Sequence, residues 1–232
     1  MIKTLLHNVY LFLTFRSPSA HLREHARVYL VFGLLATWLA GVGRYWDNPR
    51  AELWQYLGLG SVAYVFALTL LLYVLLMPLK PKNWRYQNVL LFITLTAPPA
   101  ILYAIPVERF MPLAQAAATN AWFLAVVALW RVALYAWFLK VMCGLQGLAR
   151  FVALLLPLAL IVFALSLLNL EHVVFRIMGG IMEDEKSAND MAYTVVLVIS
   201  FFSFWAFPVL LSLYAWCVYQ AKQLRRMQSD SI

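Results

Sequence analysis

Six apolar runs, each parted from the next by a polar or charged connection, set the pattern of the chain. They are Val28 to Val42, Leu53 to Leu79, Val89 to Ile105, Ala114 to Leu139, Phe151 to Leu170 and Ala192 to Tyr219. None keeps the strict alternation of a barrel strand. In hydrocarbon every backbone N–H and C=O must be paired within its own segment, so such runs predict spanning α-helices. A span takes roughly 20 residues at ~1.5 Å rise each. The first and third runs are shorter and must borrow from their flanks, whereas the second and sixth are longer and should tilt or protrude. Tyr45, Trp46, Trp54, Trp84, Tyr86, Trp216 and Tyr219 lie near run ends, where an amphipathic ring prefers the headgroup layer. The predicted fold class is all-α, a polytopic membrane protein with six transmembrane helices. The spans form one bundle over residues 28–219, between an N-terminal segment 1–27 and a basic tail 220–232.

The N-terminal segment has a pattern of its own. Lys3 followed by Leu5 to Phe15 and Ser17-Pro18-Ser19-Ala20 has the outline of a signal peptide. His7 and Asn8 interrupt that apolar stretch, and export would carry Arg23 and Arg27 to the wrong side. On a helical projection Leu5, Leu6, Val9, Phe12 and Leu13 share a face, with Lys3, Thr4, His7 and Thr14 largely opposite. The reading is an interfacial amphipathic helix on the cytoplasmic leaflet, with Ser17 and Pro18 capping and restarting the chain toward the first span.

Composition agrees with the runs: 64% of residues are hydrophobic and 12% charged, against about 45–50% and about 25% in a soluble domain. Charge then orients the bundle. With the N-terminus inside, twelve Lys and Arg fall on the inner side and five on the outer, with Arg131 left within a run. Positive inner connections favour six spans with both termini cytoplasmic. The net charge of +8 thus reads as insertion and contact with anionic lipid rather than as a nucleic-acid footprint.

Candidate chemistry is sparse. His21-Leu22-Arg23-Glu24-His25 fits H-x-x-E-H, in which two histidines one turn apart bind zinc and a glutamate activates water. The set needs a third ligand that neither His7 nor His172 is placed to supply, so no metal or cofactor is expected. Cys143 and Cys217 lie near cytoplasmic span ends, as inert buried thiols or, for Cys143 at the interface, an acylation point. No span contains Asp or Glu, which removes the acids that a carboxylate proton relay or an intramembrane aspartyl protease needs, and no catalytic residue is assigned.

Arg131 stands alone inside a span. A central arginine costs on the order of 2.5–3.5 kcal/mol on insertion scales, so something should compensate it. Counting inward puts Thr94 and Thr96 near its depth, and Pro98 and Pro99 remove the usual donors to the carbonyls of Thr94 and Leu95. A guanidinium has five donors and no acceptor, so Arg131 is expected to reach this broken turn, with Thr37, Thr69 and Ser212 at similar depth. The layer is then either an anion-attracting, cytoplasm-facing cavity or a structural staple. Asn120 lies close to the same face, nearer the outside, and Glu108 and Arg109 form an outer rim between spans three and four.

The remaining signals are weaker. The connection from Asn169 to Ala192 is acidic and bent at Gly179-Gly180, without the spacing of a calcium loop. Ala97-Pro98-Pro99 can be laid over Ala206-Phe207-Pro208, a slight hint of an inverted repeat. Two roles stay open: a non-enzymatic scaffold or partner-binding subunit of a membrane complex, and a small transporter, channel or lipid-handling protein built around Arg131. An enzyme acting on lipid is a third, lesser reading. Expected partners are the bilayer, anionic lipid at the cytoplasmic face, a membrane or cytoplasmic protein, and a second copy of the chain; nucleic acid is not expected. Short loops and the absence of an N-x-Ser/Thr sequon suit a bacterial cytoplasmic membrane.

Overall fold

The computed structural model describes residues 2–16, 22, 24–46, 52–167 and 191–229. Among these residues the chain is all-helical, with no strand, and has five helices long and apolar enough to cross a membrane, or six when one bent pair counts as a span. The elements are α1 Ile2–Leu13, α2 Ala26–Tyr45, α3 Leu53–Tyr56, α4 Leu59–Leu76, α5 Tyr86–Leu95, α6 Leu113–Val141, α7 Gly147–Leu167 and α8 Met191–Ser229. Short 3₁₀ segments cover Met77–Leu79, Pro98–Ala104 and Val107–Arg109. The acidic connection over residues 168–190, the Ser17-Pro18 restart and His21 and Arg23 of the H-x-x-E-H pattern lie outside the described residues.

Hydrogen bonds between connections show the helices alternating in direction. At the α1 end of the bundle the Lys82 amide donates to the Cys143 carbonyl at 2.8 Å, and the Tyr214 hydroxyl of α8 reaches the Leu75 carbonyl of α4 at 2.6 Å. At the opposite end the Trp46 indole donates to the Ala104 carbonyl at 3.0 Å and the Trp38 indole to the Leu57 carbonyl at 2.9 Å.

α2 lies against α4, α5 and the Pro98–Ala104 segment. Small residues allow that approach, as membrane helix pairs require. A Cβ added at Gly33 would sit 2.6 Å from the Thr94 side chain, and one at Gly41 would sit 2.7 Å from the Ser61 hydroxyl. The second apolar run does not form one helix. Gly58 turns the chain with φ 65, and a Cβ there would meet the Trp38 carbonyl at 2.8 Å. The separated α3 is closed by a capping box in which the Glu52 amide donates to the Gln55 side chain at 2.7 Å.

α1 forms, but its apolar face meets protein. Val9 and Phe12 are buried, with Phe12 edge-on to Phe92 and Trp137 at 5.9 Å each. Buried Asn8 donates to the Tyr29 hydroxyl at 3.0 Å and to the Thr4 carbonyl at 2.9 Å, which accounts for the polar residue that broke the apolar pattern. At the other end of the chain α8 runs unbroken past Tyr219 to Ser229, so the start of the basic tail is helix. Its described side chains meet mainly α7, where Phe207 stacks on Phe163 at 4.6 Å.

Proline inside a span leaves the carbonyl four residues earlier without its donor. In α7, Pro157 strips the Ala153 carbonyl in this way, and the Tyr135 hydroxyl of α6 replaces the lost N–H at 2.9 Å. Tyr135→Phe should therefore destabilise the protein in detergent by about 0.6–2 kcal/mol. In a Pro157→Ala background, which restores the backbone donor, the same change should cost clearly less; equal costs in a denaturant-based double-mutant cycle would remove this account.

Candidate functional site

The third apolar run is where the sequence cannot make a regular helix. α5 and the Pro98–Ala104 segment meet at a bend of 42°. Across it the chain tightens into 3₁₀ bonding: Thr96 donates to Ile93 at 3.2 Å, Ala97 to Thr94 at 3.1 Å and Ala100 to Ala97 at 2.8 Å. That register redistributes the deficit without removing it, since Leu95 is followed at its third and fourth residues by Pro98 and Pro99 and gains no backbone donor in either register. Thr94 gains a donor, whereas the residue three after Thr96 is Pro99, which has none, and the Ala100 amide is already used. Arg131 supplies the missing group, its Nε donating to the Thr96 carbonyl at 3.2 Å.

The other groups expected around Arg131 are arranged differently. The Thr94 hydroxyl bonds the Leu91 carbonyl at 3.0 Å, and its side chain packs on Gly33 rather than facing α6. The Thr96 hydroxyl bonds Ile93 at 2.7 Å, leaving only its carbonyl for Arg131. Thr37, Thr69 and Ser212 bond the carbonyls of Gly33, Val65 and Pro208 at 2.8, 2.7 and 2.9 Å, each within its own helix. A hydroxyl in an apolar span satisfies itself most cheaply on the preceding turn, so depth alone does not recruit it. Asn120 is half-buried on α6, about three turns from Arg131 toward the opposite end.

The electrostatic neighbours of Arg131 are Tyr64, Tyr103 and Arg44. Arg44 lies over the Tyr103 ring, 4.8 Å from its centroid. Arg44 is two residues past Val42, where the first apolar run stops and an outer connection is expected, yet it belongs to the last turn of α2. Its spacing carried the signal: Gly33, Thr37, Ala40, Gly41 and Arg44 recur on one face of α2. Of these neighbours, Arg44 and Tyr103 lie toward the end of the bundle away from α1. The rim is tied there as well. Arg109 sits 4.9 Å from the centroid of Trp46, whose indole holds Ala104. Glu108 lies beside it in the Val107–Arg109 turn.

Arg131 has one hydrogen bond to the protein among the described residues. Its remaining N–H donors and the guanidinium of Arg44 share a region in which no described carboxylate faces either charge. On the turn of α6 before Arg131 is an open cleft of about 130 Å³ lined by Pro99, Leu102, Val126, Val127 and Trp130. The Trp130 indole donates to the Leu13 carbonyl at the end of α1, at 3.1 Å. A second void, of about 20 Å³ between α2 and α4, is the size of a single water.

Comparisons with known protein families, with characterised proteins and with solved structures find no match for the chain. Among the described residues no group of three His, Cys, Asp or Glu is placed to hold a metal.

Cys143, in the connection between α6 and α7, is buried, and burial pushes its thiol up to about 12. The thiolate is the reactive form. At neutral pH the thiolate fraction should fall some three orders of magnitude below that of a free cysteine. Alkylation followed by mass spectrometry should leave Cys143 unmodified until the protein is unfolded; modification at the rate of a free thiol would contradict this burial and reopen acylation.

Proposed function

We propose that the chain is a six-span protein of the cytoplasmic membrane, with its α1 end on the cytoplasmic side, whose Arg131 and Arg44 bind an anionic group within the bundle. The orientation rests on the basic connections, since Lys80, Lys82, Arg85, Lys140 and Arg150 all belong to the α1 end. A fluorescent protein fused after Ser229 should therefore glow in living cells, and a dark but full-length fusion would reverse the topology.

The binding role rests on one observation: among the described residues Arg131 gives the Thr96 carbonyl a single hydrogen bond and keeps further donors, with Arg44 within electrostatic range. A scaffold explains neither why two cations lie within electrostatic range inside a membrane bundle nor why a cleft opens one turn from Arg131. Among the described residues neither charge faces a carboxylate; burying charge without a partner is costly, and an anion would offset two charges together. That makes an anion-binding, transporting or lipid-handling protein the reading the geometry favours over a partner-binding subunit.

In detergent, phosphate, sulfate and dispersed phosphatidylglycerol can each be titrated while the melting temperature is followed. At least one should stabilise the wild type, because a ligand of the native state raises its stability by mass action. Arg131→Gln should weaken that ligand about tenfold or more, as the loss of a charge-assisted hydrogen bond implies. If none of them separates the wild type from a folded Arg131→Gln protein, the anion site is lost and the scaffold reading returns.

A further inference from the structure

We infer that the anionic group is the headgroup of a phospholipid, with part of one acyl chain lying in the cleft between α6 and the Pro98–Ala104 segment; this rests on the anion-binding reading. The cleft lining is apolar throughout: Pro99, Leu102, Val126, Val127 and Trp130. Even the indole N–H of Trp130 is occupied by the Leu13 carbonyl, so that side chain offers the cleft only ring carbon. At about 130 Å³ the space is close to the cavity of about 150 Å³ that holds benzene in an engineered core, enough for several methylenes.

Position joins the apolar space to the charge. Val127 is one helical turn before Arg131 on α6, and Pro99 is one 3₁₀ turn after Thr96, whose carbonyl holds Arg131. Cleft and guanidinium are therefore presented by adjacent turns of the same two elements. Val126 and Trp130 are exposed on the bundle surface, so the cleft opens sideways, toward acyl chains. A free oxyanion would have to shed its water to pass these walls, whereas an amphiphile arriving from the side places its chain in the cleft and its phosphate beside Arg131. Charge complementarity selects an anionic lipid over a zwitterionic one.

The test uses the full chain in phosphatidylcholine nanodiscs containing traces of phosphatidylglycerol with a diazirine on its acyl chain. Cross-links are mapped by mass spectrometry and compared with a phosphatidylcholine probe bearing the same chain. The expected result is preferential labelling of the Val126 to Trp130 and Pro99 to Leu102 segments by the anionic probe, by about tenfold. That preference should disappear in Arg131→Gln and under competition by unlabelled phosphatidylglycerol. Val126→Trp, which fills the mouth without touching the charges, should also lower the labelling about tenfold, which keeps the test valid if Arg131→Gln does not fold. Equal labelling by the two probes overturns the inference, as does undiminished labelling in a folded Val126→Trp protein. Loss of labelling under inorganic phosphate would also overturn it, while leaving the anion site intact and naming a free ion as its occupant. The broader reading fails separately, when no anion distinguishes wild type from Arg131→Gln in the melting experiment.

Discussion

Two carbonyl groups that proline leaves without a backbone donor, those of Thr96 and Ala153, organise this bundle by taking their donors from α6. Arg131 and Tyr135 stand one turn apart on α6 and reach in two directions, to Thr96 in the broken segment and to Ala153 in α7. In water such carbonyls would be solvated at little cost. In hydrocarbon each must find a protein donor or remain unpaired, so the two prolines that weaken their own helices also determine which neighbour those helices must touch. Tertiary structure here is specified by defects in secondary structure. The approach of α2 at Gly33 and Gly41 then holds the other face of the broken segment and the start of α4 within contact distance.

The magnitudes explain how an arginine can be accommodated within a span. Placing it mid-span costs on the order of 2.5–3.5 kcal/mol, and a hydrogen bond to a charged group returns about 1.5–3 kcal/mol. One bond to Thr96 is thus enough to make Arg131 tolerable without consuming it. A guanidinium held through Nε alone keeps its end-on pair of terminal N–H groups, a fork that matches two oxygens of a phosphate or carboxylate.

Much of this was legible in the sequence wherever a local rule decides the outcome. Run length located the spans, and their ends shift by a few residues because helices continue until a capping or interfacial residue stops them. Gly58 escaped notice because a glycine within an apolar run breaks a helix only when its surroundings demand φ above zero, and the demand comes from Trp38, twenty residues earlier. Depth counting and Pro98-Pro99 joined Arg131 to the broken segment, and the observed hydrogen bond joins the same two elements. The acceptor could not be read that way, since it depends on whether the chain tightens to 3₁₀ bonding at the break. Arg44 was missed for a different reason: the end of an apolar run is a poor guide to the end of a helix whose last turn is covered by protein.

Seating α1 on the bundle imposes an order of events on biosynthesis. Its end is fastened to Trp130 across 117 residues of chain, and its apolar face needs Phe92 and Trp137 as well. At about 5–20 residues per second, α1 leaves the ribosome roughly 6–25 s before its docking surface exists. During that interval the side chains of Val9 and Phe12 lack the surfaces that bury them in the finished bundle. The first helix to be made is thus among the last to find its place.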